Sequence, residues 1–170
     1  MLLVPLVYTA TVDEEVAELM KAGKHLQCIR ILEQLRESER QEGGRLINLA
    51  RSYALEGDLM RSESILRENI RVHGTKSEGY VSLGKLLIHL QRLPEAVTVL
   101  RQGEANAIDL RKDASLFVIL GKALANSPEE QGDLMRKEEA LRYATKAEEI
   151  GSSDAIIMYE LGMLLFFLAP

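Results

Sequence analysis

The spacing of Tyr80, Leu83, Gly84 and Leu87 constrains this chain more than any other feature. These residues stand at i, i+3, i+4 and i+7, the apolar stripe of a helix with 3.6 residues per turn. After a turn at Gln91 to Pro94, Ala96, Leu100 and Gly103 form a second stripe. Gly84 and Ala96 let two helix backbones approach closely, while Tyr80, Leu83, Leu87 and Leu100 fill the space around them. A hairpin of this kind cannot bury its apolar faces alone, so it must stack on neighbours.

The neighbours are copies of the same unit. Moved back by 34 residues, the first stripe reads Leu46, Leu49, Ala50, Tyr53, followed by the turn Glu56-Gly57-Asp58 and then Ser62, Leu66 and Asn69. Another 34 back it reads Val12, Glu15, Val16, Leu19, followed by Ala22-Gly23-Lys24 and then Cys28, Leu32 and Leu35. Forward, it returns at Phe117, Leu120, Gly121, Leu124 and again at Met158, Leu161, Gly162, Leu165. A helix–turn–helix unit with a period near 34 builds a repeat array.

These segments resemble the tetratricopeptide-repeat family. LARSYALEGD, LGKLL, LGKAL and LGMLL are similar to its Leu-Gly-x-x-Tyr element, and LPEAVTVL and KEEALRYATKA to its second-helix element. The resemblance runs from Thr9 to Pro170. It implies an all-α, right-handed α-solenoid of about four repeats plus one extra helix. The repeats fall at about 9–42, 43–76, 77–110 and 114–153, with a partial copy at 155–170. No repeat keeps the family's closing proline, Glu15 replaces the usual leucine, and Ala144 stands where a large residue is usual.

Residues 1–10 read as an apolar, irregular extension, because Thr11-Val12-Asp13-Glu14 makes a capping box that predicts a helix start at Thr11. Further helices are expected near 25–39, 44–56, 59–72, 77–90, 94–108, 113–126, 135–150 and 154–168. Gly43-Gly44 and His73-Gly74 read as breaks between repeats. The insert at 127–134, SPEEQGDL, reads as a tolerated loop in which Ser127, Pro128 and Glu130 could open a short helical turn.

Composition narrows the function. The hydrophobic fraction of 46% and charged fraction of 28% are those of an ordinary folded protein. The net charge of −5 opposes nonspecific binding to nucleic acid or an anionic membrane. Residues 1–126 hold 17 acidic and 17 basic side chains, so the net charge comes from 127–160, with nine acidic and four basic. Cys28, the one cysteine, takes the place of Ser62, Ala96 and Ala140 in the other repeats and reads as a small buried residue. It points to a reducing compartment, and the expected setting is intracellular, the cytoplasm, with an organelle matrix as the alternative. The start MLLVPLVYTA lacks the basic region of a signal peptide, and the run from Ile156 to Leu168 is too short to span a membrane.

No catalytic, cofactor or metal constellation is legible. His25, His73 and His89 lie apart in the repeat order, and no phosphate-loop, dinucleotide or nucleophile-elbow motif occurs. His25 fills a slot held elsewhere by Leu59 and Leu93, which favours packing. Glu138-Glu139 and Glu148-Glu149 read as a solvated face.

The resemblance places a ligand groove on the first helix of each repeat. Its candidates here are Ile47, Asn48, Arg51 and Leu55; Glu78, Val81, Ser82, Lys85 and His89; and Ser115, Val118, Ile119, Lys122 and Asn126. Arg51, Lys85 and Lys122 share one repeat position, beside Ile47, Val81 and Val118. A basic row next to an apolar one suits an acidic amphipathic segment. The plainer reading is three solvated cations with aliphatic stems. The carboxylate clamp of chaperone-binding members is not matched, since only Asn48 agrees.

The expected function is a non-enzymatic adaptor or scaffold. The alternatives are an architectural subunit of a large assembly and a targeting or regulatory fragment of a longer protein. At the C-terminal end, Met158, Leu161, Leu165, Phe166 and Phe167 are expected to form an interface covered by another chain, as an array's last helix otherwise leaves apolar surface in water.

Overall fold

In the computed structural model the described residues are 5–38, 42–109, 114–126 and 133–169. Every regular element among them is an α-helix. The chain divides into two compact units, Met1–Asn69 and Ile70–Pro170.

The first unit opens with α1 (Pro5–Lys21), followed by α2 (His25–Ser38), α3 (Gly43–Leu55) and the larger part of α4 (Leu59–His73). Helix α1 begins six residues before the expected start, so 5–10 are helical and Thr11 lies inside the helix. Proline is the reason such a start is available: its fixed φ suits a first turn, where its missing N–H would be unpaired anyway. Likewise Gly43 and Gly44 are not a linker but the first residues of α3.

Val12, Val16, Cys28, Leu32, Leu46, Leu49, Ala50, Tyr53, Ile65 and Leu66 form the buried core of this unit. The Cys28 thiol points at the Val16 carbonyl, 3.8 Å away, and burial raises its pKa against a smaller opposing effect of Ser52. Glu15 is exposed and takes no part. Gly23 and Gly57 close α1 and α3 with φ of 70° and 87°, a backbone that L side chains avoid. The following amides reach back, Lys24 N to Leu19 O at 2.9 Å and Asp58 N to Tyr53 O at 2.9 Å. Two polar ties join distant parts of the unit. The Arg45 guanidinium donates to Asp13 at 2.8 Å, and buried Asn69 donates to the Gly43 carbonyl at 2.8 Å. Asn69 thereby satisfies a backbone acceptor, which a small apolar residue could not do.

The second unit holds α5 (Ser77–His89), α6 (Leu93–Asn106), α7 (Ser115–Ala125), α8 (Asp133–Ile150) and α9 (Ala155–Leu168). Helices α5 and α6 pack as the expected hairpin, and a Cβ placed on Gly84 would lie 2.7–2.9 Å from three Leu100 side-chain atoms. Gln91 makes their turn at φ 59° where the first two turns use glycine, and Arg92 N bonds Leu87 O at 2.8 Å. The segment after α6 folds back: Asp109 accepts from the Ser77 amide at 3.0 Å and from its hydroxyl at 3.1 Å. That carboxylate lies at the positive end of α5.

Helix α7 is the centre of this unit, packed against α5, α6, α8 and α9. Leu116 to Leu120 are all essentially buried as a result. Ala144 of α8 occupies the repeat position of Leu100, and Leu164 of α9 takes over its packing role, coming within 2.7 Å of a Cβ on Gly121. The small residue at 144, unusual for the family, is thus compensated from the next helix. The insert positions 127–132 lie outside the described residues.

Candidate functional site

The first helix of each repeat presents the candidate groove residues. In the first unit, α3 leaves Arg51 and Leu55 exposed and Ile47 and Asn48 half-buried. In the second unit, α5 exposes Glu78, Lys85 and His89, with Ser82 half-buried, while α7 exposes Asn126 and half-exposes Ser115 and Lys122. The apolar partners fare differently. Val81 is buried, and Val118 and Ile119 are 0% and 1% exposed. The expected apolar row through Val118 is therefore not a surface. Helix α9 packs on α7 and closes that side. Lys122 is not a free cation either, since its ammonium lies 3.8 Å from a Glu160 carboxylate oxygen.

Between α7 and α9 the second unit instead forms a recess of about 280 Å³ lined by Lys122, Asn126, Tyr159, Glu160, Met163 and Phe167. One Glu160 oxygen is buried there without a hydrogen-bond partner. Tyr159, Glu160 and Met163 were not legible as site residues, because α9 is apolar on nearly every side and offers no polar face to set its phase.

The orientation of α9 differs from the expectation in one respect. Ile157, Leu161 and Leu164 face inward, so Leu161, 2% exposed, is core and not interface. Met158 (43%), Phe167 (62%) and Phe166 (80%) are exposed, and Leu165 is half-buried. Asp154 caps the helix, accepting from the Ile156 amide at 2.8 Å.

On the other side of α7 lies a polar cluster. Glu104 of α6 accepts from the Tyr143 hydroxyl at 2.7 Å and the Lys146 ammonium at 3.0 Å, and Arg101 donates to Glu139 at 2.7 Å. Burial alone would raise the Glu104 pKa, but the bonds from Tyr143 and Lys146 win and hold the carboxyl below its ordinary value. Burial, and then the Glu104 carboxylate, push the Tyr143 phenol up to about 12. A raised folded-state pKa means stability that is fully present below pH 10 and lost as pH climbs toward 12. The stability difference between the wild type and Tyr143→Phe should therefore shrink over that window in urea titrations. A difference independent of pH would contradict this role for the hydroxyl.

Among the described residues no group of three or more His, Cys, Asp or Glu side chains is placed to hold a metal ion. No described helix is long and apolar enough to cross a membrane.

Solved structures share this helical arrangement. TTC0263 of Thermus thermophilus, a thermophilic tetratricopeptide-repeat protein, superposes with a TM-score of 0.67 at 18% identity over 89% of this chain and 78% of its own. The chain has a tetratricopeptide-repeat fold. MamA from Desulfovibrio magneticus RS-1 matches this repeat protein with a TM-score of 0.63 at 16% identity, covering 91% and 81%. PilF of Pseudomonas aeruginosa matches with 0.69 at 15%, covering 90% and 65%. No protein-family model matches the sequence, and no curated protein matches it.

Proposed function

We propose that this tetratricopeptide-repeat protein is a non-enzymatic adaptor or scaffold that holds a segment of another protein. The observation that carries the reading is α9, a helix of a folded unit that leaves Ile156, Met158, Tyr159, Met163, Phe166 and Phe167 in solvent. Exposed, contiguous apolar surface on one element marks an interaction face. The repeat fold supports the same reading, and a single buried Cys28 fits a reducing, cytoplasmic setting.

The exposed cations are Arg51, beside Ile47 and Asn48, in the first unit and, separately, Lys85, beside His89, in the second, where Lys122 lies 3.8 Å from Glu160. Each patch receives an acidic stretch of a partner; with Val81 and Val118 buried, no apolar row lies beside Lys85 and Lys122. Met158, Phe166 and Phe167 are covered by another chain. This last feature also favours a second reading, an architectural subunit whose α9 is permanently buried in a larger assembly.

The test is copurification from source cells with tagged wild type and with Arg51→Glu/Lys85→Glu/Lys122→Gln. Glutamine is chosen at 122 because glutamate would repel Glu160. The wild type should retain a protein partner, and the variant should bind it at least about tenfold more weakly with an unchanged circular dichroism spectrum, as expected for exposed charges that steer binding. Equal retention with the same salt dependence would reject both cationic patches.

A further inference from the structure

Gly84, Gly121 and Gly162 follow a leucine at one repeat position, and the first two are each covered by a leucine side chain. Leu100 atoms lie 2.7–2.9 Å from a Cβ built on Gly84, and Leu164 lies 2.7 Å from one on Gly121. At Gly162 nothing comes within 4 Å. The neighbouring helix shows the same open side. Ala96, Leu100 and Gly103 of α6 correspond to Ala140, Ala144 and Ala147 of α8, all buried. The register then matches Glu104 with Glu148. Glu104 receives Tyr143 and Lys146 from α8. Glu148 is exposed, and none of the described residues pairs with it. Around it Leu141 and Thr145 are exposed on α8, and Met158 and Phe166 on α9.

We propose that this face docks one amphipathic helix of a partner protein, which sets a leucine-sized side chain on Gly162 and a cation on Glu148. The proposal rests on the adaptor reading and names the chemistry of one partner element. Charge complementarity specifies the occupant. Glu148 stands exposed at the position where the covered copy of this surface sets a lysine and a phenol against its glutamate. An apolar knob alone would satisfy only half of what α6 receives from α8. A helix is specified because glycine notches admit a side chain only when the helix bearing it lies close.

The probe is a synthetic peptide of sequence 133–151 carrying Ala144→Leu, which places a leucine beside Tyr143 and Lys146. Fluorescence titration of the full chain should give saturable binding. Gly162→Leu should weaken it at least tenfold while leaving the melting temperature of the chain unchanged, because the site is open. Glu148→Lys should weaken it similarly, and a second peptide with Lys146→Glu should recover most of that loss. No binding, affinity equal to that of the unsubstituted peptide, or affinity indifferent to Gly162→Leu would overturn the proposal. Self-association of the chain that disappears in Gly162→Leu would also overturn it, since the occupant would then be a second copy. If the peptide fails while copurification still depends on Arg51 and Lys85, the adaptor reading stands without this docking face.

Discussion

Phe117→Ala is expected to lower the unfolding free energy of the second unit by about 3–5 kcal/mol, the range for deleting a buried aromatic ring. Phe117 is 1% exposed in the first turn of α7. Its ring stacks on Tyr143 with centroids 6.1 Å apart, and the Lys146 ammonium lies 4.1 Å from its centroid. The substitution therefore opens a cavity and removes a platform from the Glu104 cluster. Urea titration monitored by circular dichroism would show a large fall in midpoint. Phe166→Ser provides the contrast, since that ring is 80% exposed and its loss should change stability by no more than about 0.5 kcal/mol. Equal effects of the two substitutions would mean that the packing assigned to α7 is wrong.

Gly84→Leu should cost roughly 1–3 kcal/mol or more through overpacking. Even the first added carbon would press on three atoms of Leu100 at 2.7–2.9 Å, and Leu100 is itself fully buried with little room to yield. The matching change at Gly162 meets nothing within 4 Å and should leave the isolated chain as stable as before or slightly more so, because leucine is the better helix former. Thermal melts of the two variants thus separate a packed glycine from an open one at the same repeat position. An unchanged melting temperature for Gly84→Leu would refute the assigned hairpin contact.

The two glycines also show what was legible from sequence. Leu83-Gly84 and Leu120-Gly121 each sit in an amphipathic stripe, so their inward direction follows from periodicity. Helix α9 reads AIIMYELGMLLFFL, in which apolar residues occupy nearly every turn position. Periodicity there fixes the helix but not its rotation, so it cannot tell that Leu161 faces inward together with Ile157 and Leu164. Val118 illustrates the same limit in SLFVILGKALA, where α7 packs against α5, α6, α8 and α9 and buries residues beyond its first stripe. The start of α1 at Pro5 was obscured by a local signal at Thr11 that a longer helix overrode. The Glu104–Tyr143–Lys146 cluster joins residues 39 and 42 positions apart, and no local pattern encodes such pairing. In contrast, the burial of Cys28 and the exposure of Arg51 and Lys85 followed directly from their repeat positions.

The central claim is that this repeat protein acts by holding another protein on the exposed side chains of its first helices. Nuclear magnetic resonance of the isotope-labelled chain, titrated with the copurified partner, tests it most directly. We expect shift changes concentrated at Asn48, Arg51, Lys85 and His89, weakening as salt rises, and at Met158, Phe166 and Phe167 of α9. Changes confined to the second helices α2, α4 and α6, with Arg51 and Lys85 unmoved, would contradict it.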